Sequence, residues 1–453
     1  MTAALLAAAA APLVAFVVLA VPAWAGRPWS ERAVSAVTVG AFGLAAACGA
    51  AAAAAVLGTG QPVHTPLLTW YRWGAHGGRL GLLVDGLAAP FAVLVPLVLT
   101  AVAGFSRRYL HAEPGYRRYH LLLTLFGGGA GLVVLAGTLD VTVVGWELAG
   151  LAAALLIGFF HQRPRPLAHA VRAFVVYRLC DTGLLLAAAW AHHHPGADRY
   201  AAAAGRAVAG LPAPDRALPA LLVGGALLWA AVGKSALFPL GGWLPRAMEG
   251  PTPSSALCYG AVSVSLGPYL LLRTTAGWPP PPALAAATVA VGVLTAVHAT
   301  VVGRVQTDAK SRLAYASMTQ TGLVVAEIGL GLTALAAWHL AAHGLLRVTQ
   351  FLRAPSLLHD HQHRAQLRGA QAPARRWRLV PAAVRRRWYR HALERGHLDA
   401  LTADWVRDPL ARLLRFGDAA DRWWERRWAA PRTRPGRTDR QEPAPSPIGG
   451  PRP

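Results

Sequence analysis

About eleven stretches of roughly twenty apolar residues follow one another along this chain of 453 residues, and that repeat decides the fold class. A bilayer core about 30 Å thick is crossed by about 20 residues of helix at about 1.5 Å per residue, whereas a barrel strand needs only about 10. The stretches lie near 4–24, 34–57, 83–105, 119–138, 141–160, 167–191, 219–240, 253–273, 283–303, 311–332 and 334–353. The sequence therefore predicts an all-α polytopic membrane protein of about eleven transmembrane helices, which a composition 54% hydrophobic and only 14% charged supports. The first stretch has no basic flank before it and further spans after it, so it reads as a first helix and not as a cleaved signal.

Arginine sets the expected orientation. Arg27 and Arg32 lie between the first two spans, Arg107, Arg108, Arg117 and Arg118 between the third and fourth, Arg163 and Arg165 between the fifth and sixth, and Arg304 between the ninth and tenth. The positive-inside bias places these loops in the cytoplasm of a cell whose inner (plasma) membrane holds the chain, with the N-terminus outside and the tail inside. Four regions are expected: a transmembrane ion-conducting domain at 1–353, a basic cytoplasmic linker at 354–398, an amphipathic interfacial helix at 399–430 interrupted near Pro409, and a disordered tail at 431–453. The residues after 353 hold about half of the arginines and no apolar run long enough to span. Anionic lipid headgroups are an equally good explanation of that charge. The formal net charge of +23 follows membrane topology, so nucleic acid is not an expected partner.

Several chemistries are excluded. Cys48, Cys180 and Cys258 are scattered over three expected helices, without the spacing of an iron–sulfur site or a disulfide framework. There is no P-loop and no GxGxxG, so no cofactor is expected in the chain itself. What remains is a set of ionisable residues at membrane depth, where such groups are functional candidates by default. Lys234 and Lys310 are the only two lysines. A desolvated lysine can carry a proton, whereas arginine stays charged. Glu147 lies mid-span, Arg178 and Asp181 share a helix face three residues apart, and His339, His343 and Arg347 form a stripe at intervals of four. Interhelical glue is the competing reading. Haem ligation by the histidines would need a partner on a second helix, for which only His298 is placed.

At these positions the sequence resembles the antiporter-like proton-conducting membrane subunits shared by respiratory complex I and multisubunit sodium/proton antiporters. GKSALFPLGGWLPRAMEGPTPSSAL at 233–257 carries the resemblance, with GWE at 145–147, AFVVYRLCD at 173–181, DAKSRLAYASMTQTG at 308–322 and WHLAAHGLLR at 338–347. The resemblance implies two five-helix repeats of inverted topology with interrupted helices, one interruption falling around Phe238 to Pro253. It also implies a proton pathway through Glu147, Lys234, Lys310, His339 and His343, in which Glu147 and Lys234 form an ion pair, and Arg178, Asp181, Tyr259 and Arg347 support it. Tyr259 and Arg347 depart from the family pattern, which has a histidine and commonly a lysine there, and neither replacement titrates usefully near neutral pH.

The basic tail resembles that of a short branch of the family, the membrane subunit of the energy-coupled inorganic carbon transporter. That resemblance implies a large cytoplasmic zinc-binding partner similar to a β-carbonic anhydrase, zinc on the partner and none on this chain, and a transporter subunit that is not an enzyme. His359, His361 and His363 have a spacing a metal could use, but a solvated linker is the expected reading. The alternatives are a proton-translocating subunit of a redox enzyme of the complex I or hydrogenase type, and a sodium/proton antiporter subunit.

Overall fold

Each of the eleven apolar stretches contains helix in the computed structural model, which describes residues 1–73, 76–194, 196–197, 199–201, 208–368, 381–398 and 408–428. In order these are α1 Thr2–Trp24, α2 Glu31–Thr59, α3 Ala88–Tyr109, α4 Tyr116–Val134, α5 Leu139–Ile157, α6 Pro164–His192 and α7 Ala217–Lys234. An interrupted stretch follows, with two single turns, α8 Trp243–Arg246 and α9 Thr252–Ser255, a π-helical segment Ala256–Ala261, and α10 Leu266–Gly277. Then come α11 Pro282–Gly303, α12 Ala309–Gly329 and α13 Thr333–Arg368. Among the described residues, eight stretches are long and apolar enough to cross a membrane by length and composition. The protein is an all-α polytopic membrane protein, since in hydrocarbon only a helix or a closed barrel satisfies its own backbone.

Local chemistry fixes the helix ends. Ser30 and Asp308 cap α2 and α12 by accepting from the backbone N–H of Ala33 and Ser311, at 3.3 and 2.7 Å. Gly60, in the left-handed region at φ 66°, closes α2 through its N–H to the Val56 carbonyl at 2.8 Å. Where a continuous span is expected over 219–240, α7 stops at Lys234 instead. Pro239, Gly241 and Gly242 follow at once, a composition that removes a donor and weakens the helix.

Two glycine pairs reveal an internal repeat. In α4 and α5, a Cβ on Gly129 would meet the Gly145 carbonyl oxygen at 2.7 Å and the Ala149 nitrogen at 2.5 Å, and one on Gly145 would meet the Gly129 oxygen at 2.6 Å. In α11 and α12, Gly292 stands in the same relation to the Gly322 oxygen and the Ala326 nitrogen, at 2.6 and 2.5 Å, and Gly322 to the Gly292 oxygen at 2.6 Å. Even the offsets agree, because the second partner is four residues beyond the glycine in both hairpins. The two helix pairs are thus built to one pattern, with backbones touching where only glycine fits.

One element departs from the expected all-helical course. Residues ahead of α3 form an antiparallel hairpin, β1 Val63–Trp73 and β2 His76–Val84, so the third helix starts at Ala88 and not near residue 83. The run HTPLLTWYRW is rich in aromatic and β-branched residues and too short to span as a helix. The hairpin ends at Asp85, which is completely buried with all its acceptors used. Oδ1 receives the N–H of Leu87 and Ala88, and Oδ2 receives the Ala209 N–H at 2.7 Å and Arg273 Nη1 at 2.5 Å. Arg273 also donates to the Ala209 carbonyl and to the Tyr269 hydroxyl, which in turn donates to the Val134 carbonyl at 2.7 Å. This buried clamp ties the hairpin, the 208–211 segment, α4 and α10 together at the end opposite the arginine-bearing loops.

Beyond residue 353 the backbone of α13 continues as helix to Arg368, so His359, His361 and His363 lie on helical backbone. α14 follows at Ala382–Leu393. A separate unit begins at Arg407, and in it α15 runs from Asp408 to Trp428. Pro409 opens this helix and does not interrupt it, because its fixed φ and missing N–H suit the first turn. The rest of the expected amphipathic region, at 399–407 and 429–430, and the expected disordered tail at 431–453 lie outside the described residues.

Candidate functional site

Three of the ionisable residues picked out from the sequence form one cluster, with a fourth beside it. Arg178 on α6 is ion-paired with Glu147 on α5 through Nη1, and its Nη2 donates to Asp181 Oδ2 at 2.8 Å. The Trp146 indole N–H donates to the other Asp181 oxygen at 2.5 Å. Lys234 is fully buried at the end of α7 and donates to the backbone carbonyl of Trp146 at 2.8 Å. Its ammonium lies 4.8 Å from the Trp146 ring centroid and 4.9 Å from that of Tyr177, within cation–π range.

The expected ion pair between Glu147 and Lys234 is therefore corrected. Glu147 pairs with Arg178, and among the described residues Lys234 has no carboxylate within ion-pair distance. The reason is geometric: Arg178 and Asp181 share a face of α6 and bring a planar, two-pronged donor between two carboxylates, which a single ammonium cannot match. With every group ionised the cluster holds two negative and two positive charges, so one proton gained or lost leaves a net charge inside the bundle.

Small residues make room for this arrangement. A Cβ on Gly150, one turn after Glu147, would come within 2.6 Å of Lys234 Nζ, and one on Gly233 would come within 2.3 Å of Cys180 Cβ. Trp243 closes the break after α7 by donating its indole N–H to the Gly233 carbonyl at 3.1 Å, and its ring packs edge-on to Tyr177 and Tyr259, with centroids 4.9 and 6.0 Å away.

A second group lies on α12 and α13. His339 bridges Glu327 and Gln320, both at 2.8 Å, one through each ring nitrogen. Arg347 donates to Gln350 at 2.6 Å and to the Ala316 carbonyl at 3.0 Å. His343 is buried between them, and neither ring nitrogen has a protein hydrogen-bond partner among the described residues. The same holds for the buried hydroxyl of Tyr259, on the π-helical segment that packs against α13, and for Ser317 Oγ. Lys310 stands apart from both groups. It opens α12 and donates to the carbonyls of Gly250 and Met248, at 3.2 and 3.5 Å, in the interrupted stretch.

Glu327, Gln320 and the Asp85–Arg273 pair escape a reading of the sequence. Glu327 was detectable by the rule that flagged Glu147, a carboxylate inside an apolar span. Arg273 closes the run LGPYLLLR and looks like a helix-end anchor until its partner, 188 residues away, is known. Among the described residues no group of three histidine, cysteine or acidic side chains could hold a metal ion.

Comparison with known proteins agrees with this architecture. Residues 136–377 match the family model described as NADH:quinone oxidoreductase/Mrp antiporter, TM, and residues 70–120 match that of NADH-Ubiquinone oxidoreductase (complex I), chain 5 N-terminus. NADH-quinone oxidoreductase subunit L of Escherichia coli is 34% identical over 351 residues, 77% of this chain and 56% of that protein. The probable inorganic carbon transporter subunit DabB1 of Halothiobacillus neapolitanus is 34% identical over 293 residues, 64% of this chain and 52% of that protein. A chain of the solved Mrp complex from Dietzia sp. DQ12-45-1b superposes with a TM-score of 0.61 at 27% identity, over 83% of this chain and 39% of that one. The chain spans about half the length of the curated relatives it matches. The expectation of a transporter subunit outside any enzyme is corrected here: the Escherichia coli relative, like those from Mycobacterium tuberculosis and Synechocystis sp. at 33% and 32% identity, is a subunit of a quinone oxidoreductase, an enzyme complex.

Proposed function

The chain belongs to the NADH:quinone oxidoreductase/Mrp antiporter family of membrane subunits, and from that membership we propose that it is the proton-translocating membrane subunit of a redox-driven complex of the NADH-quinone oxidoreductase type. The observation that carries this reading is the buried Lys234 at the broken end of α7, next to a carboxylate–guanidinium–carboxylate cluster of Glu147, Arg178 and Asp181. An exchangeable proton on Lys234, Glu147 or Asp181 changes the charge of the bundle, and Arg178 stays fixed as the cation that both carboxylates share. His339 with Glu327, His343 and the unpartnered Tyr259 hydroxyl extend the path toward α13, where buried polar groups without protein partners suit proton transfer by water. Lys310 stands at the mouth of the path beside the interrupted stretch, and Arg347 holds α12 to α13. The arginine-bearing loops face the cytoplasm and the hairpin end faces outward, in the plasma membrane.

A second reading follows from the similarity to the inorganic carbon transporter subunit. In it the same path powers a cytoplasmic zinc partner that hydrates carbon dioxide. The two readings differ in what co-purifies with the chain. Affinity purification from native membranes, followed by assays of NADH:quinone oxidoreduction and of zinc-dependent carbon dioxide hydration, separates them. Redox subunits with proton pumping support the first reading, and a zinc protein whose loss abolishes bicarbonate accumulation replaces it with the second.

A further inference from the structure

The segment after α13 carries a feature that ion conduction does not use. Gly396, at φ 67°, lets the turn that follows α14 press onto α11, since a Cβ there would lie 2.9 Å from His298 Cε1 and 3.3 Å from His391 Nε2. Beside this contact is a cavity of about 550 Å³ between the two helices. Its wall on α11 is Leu294, Val297 and Val301, and its rim on α14 is Arg387, Trp388 and His391. Leu294 and Val297 are 49% and 56% exposed on a helix apolar enough to span, so the wall opens onto hydrocarbon.

We propose that this groove seats an anionic phospholipid, one acyl chain lying along Leu294, Val297 and Val301 and the phosphate held by Arg387 with His391. An apolar slot that opens into the bilayer is filled by an acyl chain, because water gains nothing there. Charge selects the headgroup. α14 carries Arg386, Arg387, Arg390 and His391 and no acidic residue, while Trp388 and Tyr389, each 55% exposed, are the side chains that settle at headgroup level. The helix thus clamps a lipid against the bundle and does not merely rest on the surface.

The test uses the full chain in phosphatidylcholine nanodiscs doped with phosphatidylglycerol, read by native mass spectrometry of the released protein. Wild type is expected to retain phosphatidylglycerol in preference to phosphatidylcholine. Arg387→Glu lowers that retention about five-fold or more, the worth of one cation near the surface. Val297→Trp, which fills the slot from a lipid-facing position, removes both lipids without touching the headgroup site. Equal retention of the two lipids by wild type, or undiminished phosphatidylglycerol in either variant, overturns the proposal. Proton conduction is not part of the readout, so the outcome is independent of the function proposed above.

Discussion

Lys234 donates its hydrogen bond to the backbone carbonyl of Trp146, the residue next to Glu147, and not to the Glu147 carboxylate. The lysine is therefore coupled to the carboxylates through one tryptophan, whose carbonyl holds Lys234 while its indole N–H holds Asp181. A shift of α5 moves both bonds together, since Trp146 belongs to it and takes part in each.

Lys234→Arg tests whether that link moves protons. Arginine keeps the charge but does not release a proton, so proton flux in reconstituted vesicles is expected to fall at least ten-fold at equal protein level. Wild-type flux in this variant would leave Lys234 with a structural role only.

Asp181→Asn is expected to damage flux more than Glu147→Gln. Asp181 accepts from both Arg178 and Trp146, so its neutralisation loosens the tryptophan as well as the arginine, whereas Glu147 serves Arg178 alone among these partners. Flux of the two variants at matched expression decides it, and equal losses would show that the tryptophan link carries nothing.

On the second group, Glu327→Ala and His339→Ala should be less than additive, with His339→Ala the more damaging, because both remove the contact at 2.8 Å and only the histidine change also removes the bond to Gln320. Additive losses in a double-mutant cycle would mean that the two residues act separately.

The clamp at the hairpin end predicts a stability effect with flux per folded molecule unchanged. Asp85→Ala leaves Arg273 buried, 2% exposed, without its counter-ion, and should destabilise the protein by about 3–5 kcal/mol in detergent unfolding. Pairing Asp85→Leu with Arg273→Met should recover part of the loss, since no charge is then stranded although the backbone N–H groups of Leu87, Ala88 and Ala209 lose their acceptor. A single variant as stable as wild type would show that water reaches the site.

The spans are legible because bilayer thickness imposes a length on every apolar segment, and the buried charges are legible because lipid excludes them. Partner choice is not. Glu147, Arg178, Asp181 and Lys234 are visible as candidates, yet that Arg178 takes Glu147 depends on how α5 and α6 are rotated, which no spacing within one helix encodes. Asp85 and Arg273 fail for the same reason at greater distance. The hairpin over 63–84 is marked by its aromatic run, but its second strand ends in the apolar GLLV just before α3, which hydropathy alone cannot separate from the start of a span. Glu327, a carboxylate within the apolar run GLVVAEIGLGL, is as legible as Glu147, and only its pairing with His339 is hidden.

The matched glycine contacts of the two hairpins restrict how the protein can work. At Gly129 with Gly145 and at Gly292 with Gly322 the backbones meet with no side chain between them to act as a bearing. A side chain at any of these four positions would force its hairpin apart and leave a gap in hydrocarbon. The helical ladder is broken elsewhere, in the residues after Lys234 and in the π-helical turn around Tyr259, where a change of backbone disturbs the fewest regular hydrogen bonds. Lys234 thus stands at the edge of the stretch whose backbone is least regular.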